Sequence, residues 1–435
     1  MKKTRLQKKL ITTLVSAAIL QASTIMPSYA MELVPTIEDA IIHNPEFREQ
    51  IKIHQGAAAE LEGAEGSWYP KIDVAAGIGL EETDDEGQDS TSLTRKESSI
   101  SLTQNLFEGF KTVNEIDRQQ AKMDAAGYSV QAQASTVALD MAQAYINLLK
   151  EQELLRLEAE NKKTHERILD QIMQRSEAGI GNQVEVDQAK ARLALANSNH
   201  LAANNNYNDA LGRFQRILGR MPDNDLLKPE FDFQLPESLS EAIDIALINH
   251  PTLRSANADI AEAHAQHRSA KSPYYPTVDI EIEKTFDENI NGLERRDENF
   301  QAMLRLRYNL FNGGKDTANR DRTAAGVQQA AEIRNNSRRQ TIENLRYAWN
   351  AKTYVGEQLN YINQHIKLTY ETLEGYRKQF SLGRRSLLDL LNTEDEYNSA
   401  LRTLVNSESE HLIAELRILD GMGKLIDALQ INVDY

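Results

Sequence analysis

Carboxylates dominate the side chains that could do chemistry in this sequence: 65 Asp and Glu face 49 Lys and Arg, a formal net charge of −16. Acid–base catalysis needs carboxylates converging in one cleft. Here they are spread along polar stretches, as on solvated helix faces. His264 and His267 stand three apart and could share a metal on one helix face, but no third ligand clusters nearby. Gly-x-Ser-x-Gly, Walker-type and paired-glycine nucleotide loops are absent. With no cysteine, thiolate zinc sites, cysteine nucleophiles, disulfide scaffolds and a lipid anchor on an N-terminal cysteine are not expected. The acidic balance argues against nucleic acid, whose protein footprint is basic. No enzyme activity, cofactor or metal is expected.

Two short glycine stretches stand out instead. Gly179-Ile180-Gly181-Asn182 and Gly383-Arg384-Arg385-Ser386 each end a glycine-poor run of 70 residues, begun at Gly109 and Gly313. Just past the second, Leu387-Leu388-Asp389-Leu390-Leu391-Asn392 opens a new helical pattern, and Glu185 holds the place of Asp389 in the first half. Glycine permits positive φ and close backbone approach, so both stretches read as helix-ending turns.

The elements that position these turns are written twice. Asn44-Pro45 answers His250-Pro251 and Tyr69-Pro70 answers Tyr275-Pro276, both at an offset of 206. Asn105-Leu106-Phe107-Glu108-Gly109 answers Asn309-Leu310-Phe311-Asn312-Gly313 at 204, Gly179 answers Gly383 at 204, and Ile217-Leu218 answers Ile418-Leu419 at 201. The repeats are predicted over 31–220 and 237–423, with a proline-punctuated linker at 221–236 and a tail at 424–435. Each repeat reads as a helix of about thirty residues (Thr36 to about Ser67, Leu239 to about Ser272), two strands, one long helix and a last helix of about 35 residues. Thr36 and Ser238 read as N-caps.

The strands, at about 71–81, 99–107, 277–284 and 300–310, alternate with period two: Ile72, Val74, Ile78 and Leu80 lie on one face, and Asp73 and Glu81 on the other. Val355, Leu359, Ile362, Ile366, Thr369, Leu373, Tyr376 and Phe380 step by four and three, a coiled-coil stripe. A 65-residue helix spans roughly 100 Å, and the two shorter helices of a repeat together match it. Ahead of all this, Lys2, Lys3, Arg5, Lys8 and Lys9 precede an apolar run from Leu10 to Leu20, with Ser28 and Ala30 placed for cleavage, so 1–30 reads as an export signal. The sequence after Ala30 carries −21 and no apolar run of 18 residues. Four strands cannot close a barrel, and an open edge cannot sit in lipid. Closure calls for several copies; three give twelve strands and a lumen, where eight strands would be filled by side chains. A periplasmic coiled-coil structural or adaptor protein with soluble strands is the alternative from another class.

An exported chain with a duplicated Asn-Pro helix, a Tyr-Pro strand start, Asn-Leu-Phe-x-Gly, a long helix and a Gly-centred turn resembles the TolC-like outer-membrane channels over nearly all of 31–423. The resemblance implies a mainly α chain with a membrane β-barrel: a homotrimer with a twelve-stranded barrel in the outer membrane of a Gram-negative bacterium and a long coiled-coil α-helical tunnel through the periplasm. It implies a passive duct that docks a periplasmic adaptor and an inner-membrane transporter of ABC type. Gly179, Gly181, Gly383 and Arg384 would form the adaptor-contact turns. Glu185, Arg385, Asp389 and Asn392 would form the entrance gate, with Arg385 latched to Glu185 and Asp389 forming a ring of charge. Asn392 replaces the second aspartate usual in the family. The stretches Phe380–Asp389 and Asn309–Gly314 look like the type I secretion branch, which implies export of a polypeptide such as an adhesin or toxin; drug efflux is the alternative.

Overall fold

The computed structural model describes residues 31–84, 90–223, 225–229, 231 and 233–432. The export signal read over 1–30 lies outside the described residues, as do 85–89 between the first two strands and the last three positions of the tail. The first repeat comprises α1 (Leu33–His43), α2 (Pro45–Glu65), β1 (Lys71–Thr83), β2 (Thr91–Glu108), α3 (Lys111–Glu177) and α4 (Gln183–Leu218). The second comprises α5 (Leu239–Asn249), α6 (Pro251–Ser269), β3 (Thr277–Glu288), β4 (Arg296–Arg307), α7 (Lys315–Ser381) and α8 (Leu387–Gly421), and the short α9 (Leu425–Ala428) follows. Both α3 and α7 have 67 residues, roughly 100 Å.

The helix expected from Thr36 to Ser67 is two helices. Proline excludes the preceding residue from helical geometry, so Asn44 turns extended at ψ 126° and its side chain accepts the Glu46 and Phe47 amides at 2.8 and 3.1 Å. His250 breaks the second repeat in the same way before Pro251. Ser238 caps α5 by accepting the Glu241 amide. Thr36 is not a cap: α1 starts at Leu33, and the Thr36 hydroxyl donates to the Glu32 carbonyl inside it. Single 3-10 turns, Gly66–Trp68 and Ser272–Tyr274, then hand each chain to a Tyr-Pro and the sheet.

The sheet is antiparallel in the order β1-β2-β3-β4, so the repeats join at β2–β3 and the edges of β1 and β4 stay free. β2 and β3 run further than the apolar alternation suggested, because their ends at Thr91–Ser98 and Thr285–Glu288 form a polar ribbon. β4 begins earlier than expected and stops at Arg307, which leaves Tyr308, Asn309 and Leu310 outside it. β1 runs on to Thr83, two residues past its expected end, and Glu81 near that end pairs with Arg95 at 2.7 Å.

Below the sheet, α3 packs against α2 and α6 near its start and against α4 and α8 further on, and α7 packs against α6 and α8. The main core, with Ile37, Val130, Met141, Tyr145, Phe214, Leu345, Leu416 and Ile418, lies where the short helices meet. The 221–236 link and the described tail close over it. The Tyr145 hydroxyl reaches the carbonyls of Met31 (2.5 Å) and Leu227 (2.8 Å), and Leu425, Leu429 and Ile431 are buried. Burial pushes the Tyr145 phenol up to about 12, so it stays a neutral donor at physiological pH.

Candidate functional site at the helical tip

A second cluster, with Ile168, Ile172, Val186, Leu373, Phe380, Leu387, Leu390 and Leu391, ties the α3–α4 and α7–α8 hairpins together just above their turns. In the first turn Gly179 takes φ +72°, and the Ile180 and Gly181 amides donate back to the Arg175 carbonyl at 2.9 and 3.1 Å. In the second, Gly383 takes φ +71° and the Arg384 amide donates to the Gln379 carbonyl at 2.9 Å. Asn182 and Ser386 restart the chain by accepting the Glu185 and Asp389 amides at 2.9 and 3.2 Å. Each new helix thus opens with a carboxylate in its first turn, which complements the helix dipole. A Cβ on Gly179 or Gly383 would meet nothing within 4 Å, whereas one on Gly181 would press on the Ser176 amide at 3.3 Å. Ile180, Leu382 and Arg384 are exposed beside these glycines.

The gate residues are not all brought together. Arg385 lies 3.6 Å from Asp389, one turn along its own helix, and its guanidinium stacks 4.0 Å above the Tyr376 ring. Its Nε is buried without a hydrogen-bond partner. No ion pair joins it to Glu185 within the protomer among the described residues. The hairpin–hairpin ties are made by residues that sequence reasoning missed. Arg192 on α4 donates to Asn392 (2.8 Å) and pairs with Asp395 on α8. Asp395 also faces the buried His165 of α3 at 3.7 Å. One heptad away along the same seam, Arg402 pairs with the buried Glu158 at 2.5 Å. Arg175 stacks over Phe380 at 4.8 Å. Asn392 is therefore engaged by an arginine. His267, one of the histidines weighed for metal, lies 3.0 Å from Thr323 of α7.

Burial pushes the Asp395 carboxyl up, but the neighbouring His165 ring and the Arg192 and Arg402 guanidinium groups outweigh it and hold it below the usual carboxylate range. A depressed carboxyl contributes stability above its unfolded pKa and loses it as pH falls through the folded value. The tie should therefore weaken only in acid, below the ordinary aspartate range. Arg192→Ala should cost about 1–2 kcal/mol, a charged hydrogen bond discounted for the partial exposure of both partners. Urea melts of the variant and of Asp395→Asn should both show the loss, and the double variant should lose less than the sum; full additivity would mean that the pair is not coupled.

Two helical hairpins thus hang from a sheet that has two free edges and one apolar face. The sequence profile of the family described as Outer membrane efflux protein matches residues 36–220 and 242–424, and the chain belongs to that family of channels. It is 24% identical over 435 residues to the outer membrane protein TolC of Escherichia coli (strain K12), covering 96% of this chain and 87% of that protein. It is 21% identical over 416 residues to the alkaline protease secretion protein AprF of Pseudomonas aeruginosa, covering 92% and 86%. The solved outer-membrane channel OprN superposes with a TM-score of 0.81 over 90% of each chain at 18% identity. The fold is that of a TolC-like channel protomer, mostly helical with few strands.

Proposed function

We propose that three copies of this chain close a twelve-stranded barrel in the outer membrane of a Gram-negative bacterium and serve as the passive duct of a tripartite type I secretion system. The observation that carries the duct is the sheet. Ile72, Val74, Ile78, Leu80, Phe300, Leu304 and Leu306 are exposed along one face. The other face is closed by charge: Arg305 pairs with Glu281 at 2.7 Å, and Arg307 pairs with Asp279 at 2.8 Å and with Glu281. An apolar exterior backed by a polar interior suits lipid outside and water inside, and a soluble adaptor has no use for it. The kinship with AprF favours a polypeptide cargo passed from an inner-membrane ABC transporter through a periplasmic adaptor. Deleting the gene should remove one or more polypeptides from the culture medium. Hypersensitivity to drugs with an unchanged medium would assign the duct to efflux instead.

In this reading the adaptor seats on the turns at Gly179–Gly181 and Gly383–Arg384. Because space around Gly179 and Gly383 is open, Gly179→Val or Gly383→Val carries only the left-handed backbone penalty, roughly 1–2 kcal/mol. Export should fail in these variants while the amount of channel in the outer membrane stays normal. Unimpaired export in both would reduce the glycines to helix caps.

A further inference from the structure

One face of α7 is apolar and uncovered. Tyr347, Tyr354, Tyr361 and Leu368 recur every seven residues and are 55%, 67%, 74% and 54% exposed. The partners that α7 has within the chain lie elsewhere on the helix. Ala348, Val355, Ile362 and Thr369 are buried in the seam it shares with α8. Thr323 and Arg334 meet α6 through His267 (3.0 Å) and Asn257 (3.3 Å). The tyrosine stripe sits one residue before the buried stripe, roughly 100° further round the helix, on a flank that nothing among the described residues covers.

The internal repeat says what belongs there. At the offset of 204, Tyr354, Tyr361 and Leu368 answer Lys150, Leu157 and Thr164 of α3. Lys150 and Thr164 are half-buried, and Leu157 is 5% exposed and lies in a groove walled by Leu401, Leu404 and Val405 of α8. The second repeat therefore covers this flank of α3, and nothing among the described residues covers the same flank of α7. The structural equivalent of α8 is α4, and the equivalents of Leu401, Leu404 and Val405 are Asn197, His200 and Leu201. Leu201 is 68% exposed. α4 packs chiefly on α3, at its far end on α1, and near the turn it reaches α8 through Arg192; further from the turn its Leu201 face is free as well. The sheet repeats the logic: β4, which leads into α7, has a free edge, and β1 has the other.

We propose that the tyrosine stripe of α7 is the helical seam between copies, seated against the Leu201 face of α4 from a second copy of this chain. The proposal rests on the trimeric reading above. It adds which residues meet and in what register. Antiparallel packing sets Tyr361 beside Leu201 and, one heptad on, Tyr354 beside Asn208. Large rings on α7 then meet a face of α4 made of Ala194, Leu201, Asn208 and their neighbours, knobs against small or amide side chains.

The absence of cysteine makes the test direct. Tyr361→Cys with Leu201→Cys, and separately Tyr354→Cys with Asn208→Cys, are oxidised in outer-membrane preparations and run without reductant. Both pairs should give a reducible ladder ending at three times the monomer mass. The out-of-register pair, Tyr361→Cys with Asn208→Cys, should stay monomeric on the gel, because one heptad displaces the thiols by about 10 Å, beyond disulfide reach. If both in-register pairs stay monomeric while the parent chain has a trimer's native mass in detergent, or if the out-of-register pair links as well, the seam is misassigned and the trimer stands. A parent chain with a monomer's native mass would overturn the seam together with the trimeric reading.

Discussion

A strain carrying Leu304→Arg should lose most of the channel from its outer membrane. Leu304 is 69% exposed on the apolar face, and its cross-strand neighbour on β3 is Ile280. Arginine at the bilayer midplane costs about 2–4 kcal/mol in a barrel strand, and a closed trimer carries the change three times. Stability of ordinary proteins is only about 5–15 kcal/mol, so the accumulated cost is of the order of the whole margin. The opposite face supplies the control. Gln301 sits on β4 three residues earlier and donates to Glu283 at 2.6 Å. Gln301→Arg can pair with that carboxylate and should assemble normally. Heat-resistant trimers in membrane fractions read both variants. Normal assembly of Leu304→Arg with failure of Gln301→Arg would mean that the faces are reversed.

The alternation that carries this expectation was plain in the sequence, because a strand buried against two different solvents must write both on every second residue. The coiled-coil stripe of α7 was equally plain: Val355, Ile362, Thr369, Leu373 and Phe380 are all buried in the structure. What stayed hidden needed partners from distant parts of the chain. The extra length of β2, from Thr91 to Ser98, has no apolar period because both its faces are polar; it is strand only because β1 and, at Lys96–Ser98, β3 pair with it. The break at Asn44 lies in the Asn-Pro itself, because the residue before a proline leaves helical geometry. Arg192 and Asp395 look like ordinary charges on solvated faces until α4 and α8 are laid side by side. For Arg385 the local geometry prevails within the protomer: a carboxylate four residues on and a tyrosine ring nine residues back satisfy most of the guanidinium.

That local engagement changes what the gate variants should do. At 3.6 Å, Arg385 offsets the charge of Asp389, and in a trimer the two would form a ring of three carboxylates backed by three guanidinium groups. Asp389→Ala removes the carboxylates and leaves the arginines, so the preference for cations should fall. Arg385→Ala leaves the carboxylates uncompensated, so the preference should rise. Arg385 has a second role open to it, because 37% of its side chain stays exposed and its guanidinium has donors beyond the contact with Asp389. An acceptor from a neighbouring copy, with Glu185 at the start of α4 the nearest counterpart in the repeat, would complete it in a closed entrance. Arg385→Ala should then also raise single-channel conductance in planar bilayers, while Arg385→Lys, which keeps the charge but loses the planar fork, should raise conductance with little change in selectivity. The two readouts separate the two roles. A selectivity shift without a conductance change would leave Arg385 as the counter-ion of Asp389 alone, and a conductance change without a selectivity shift would leave it as a latch alone.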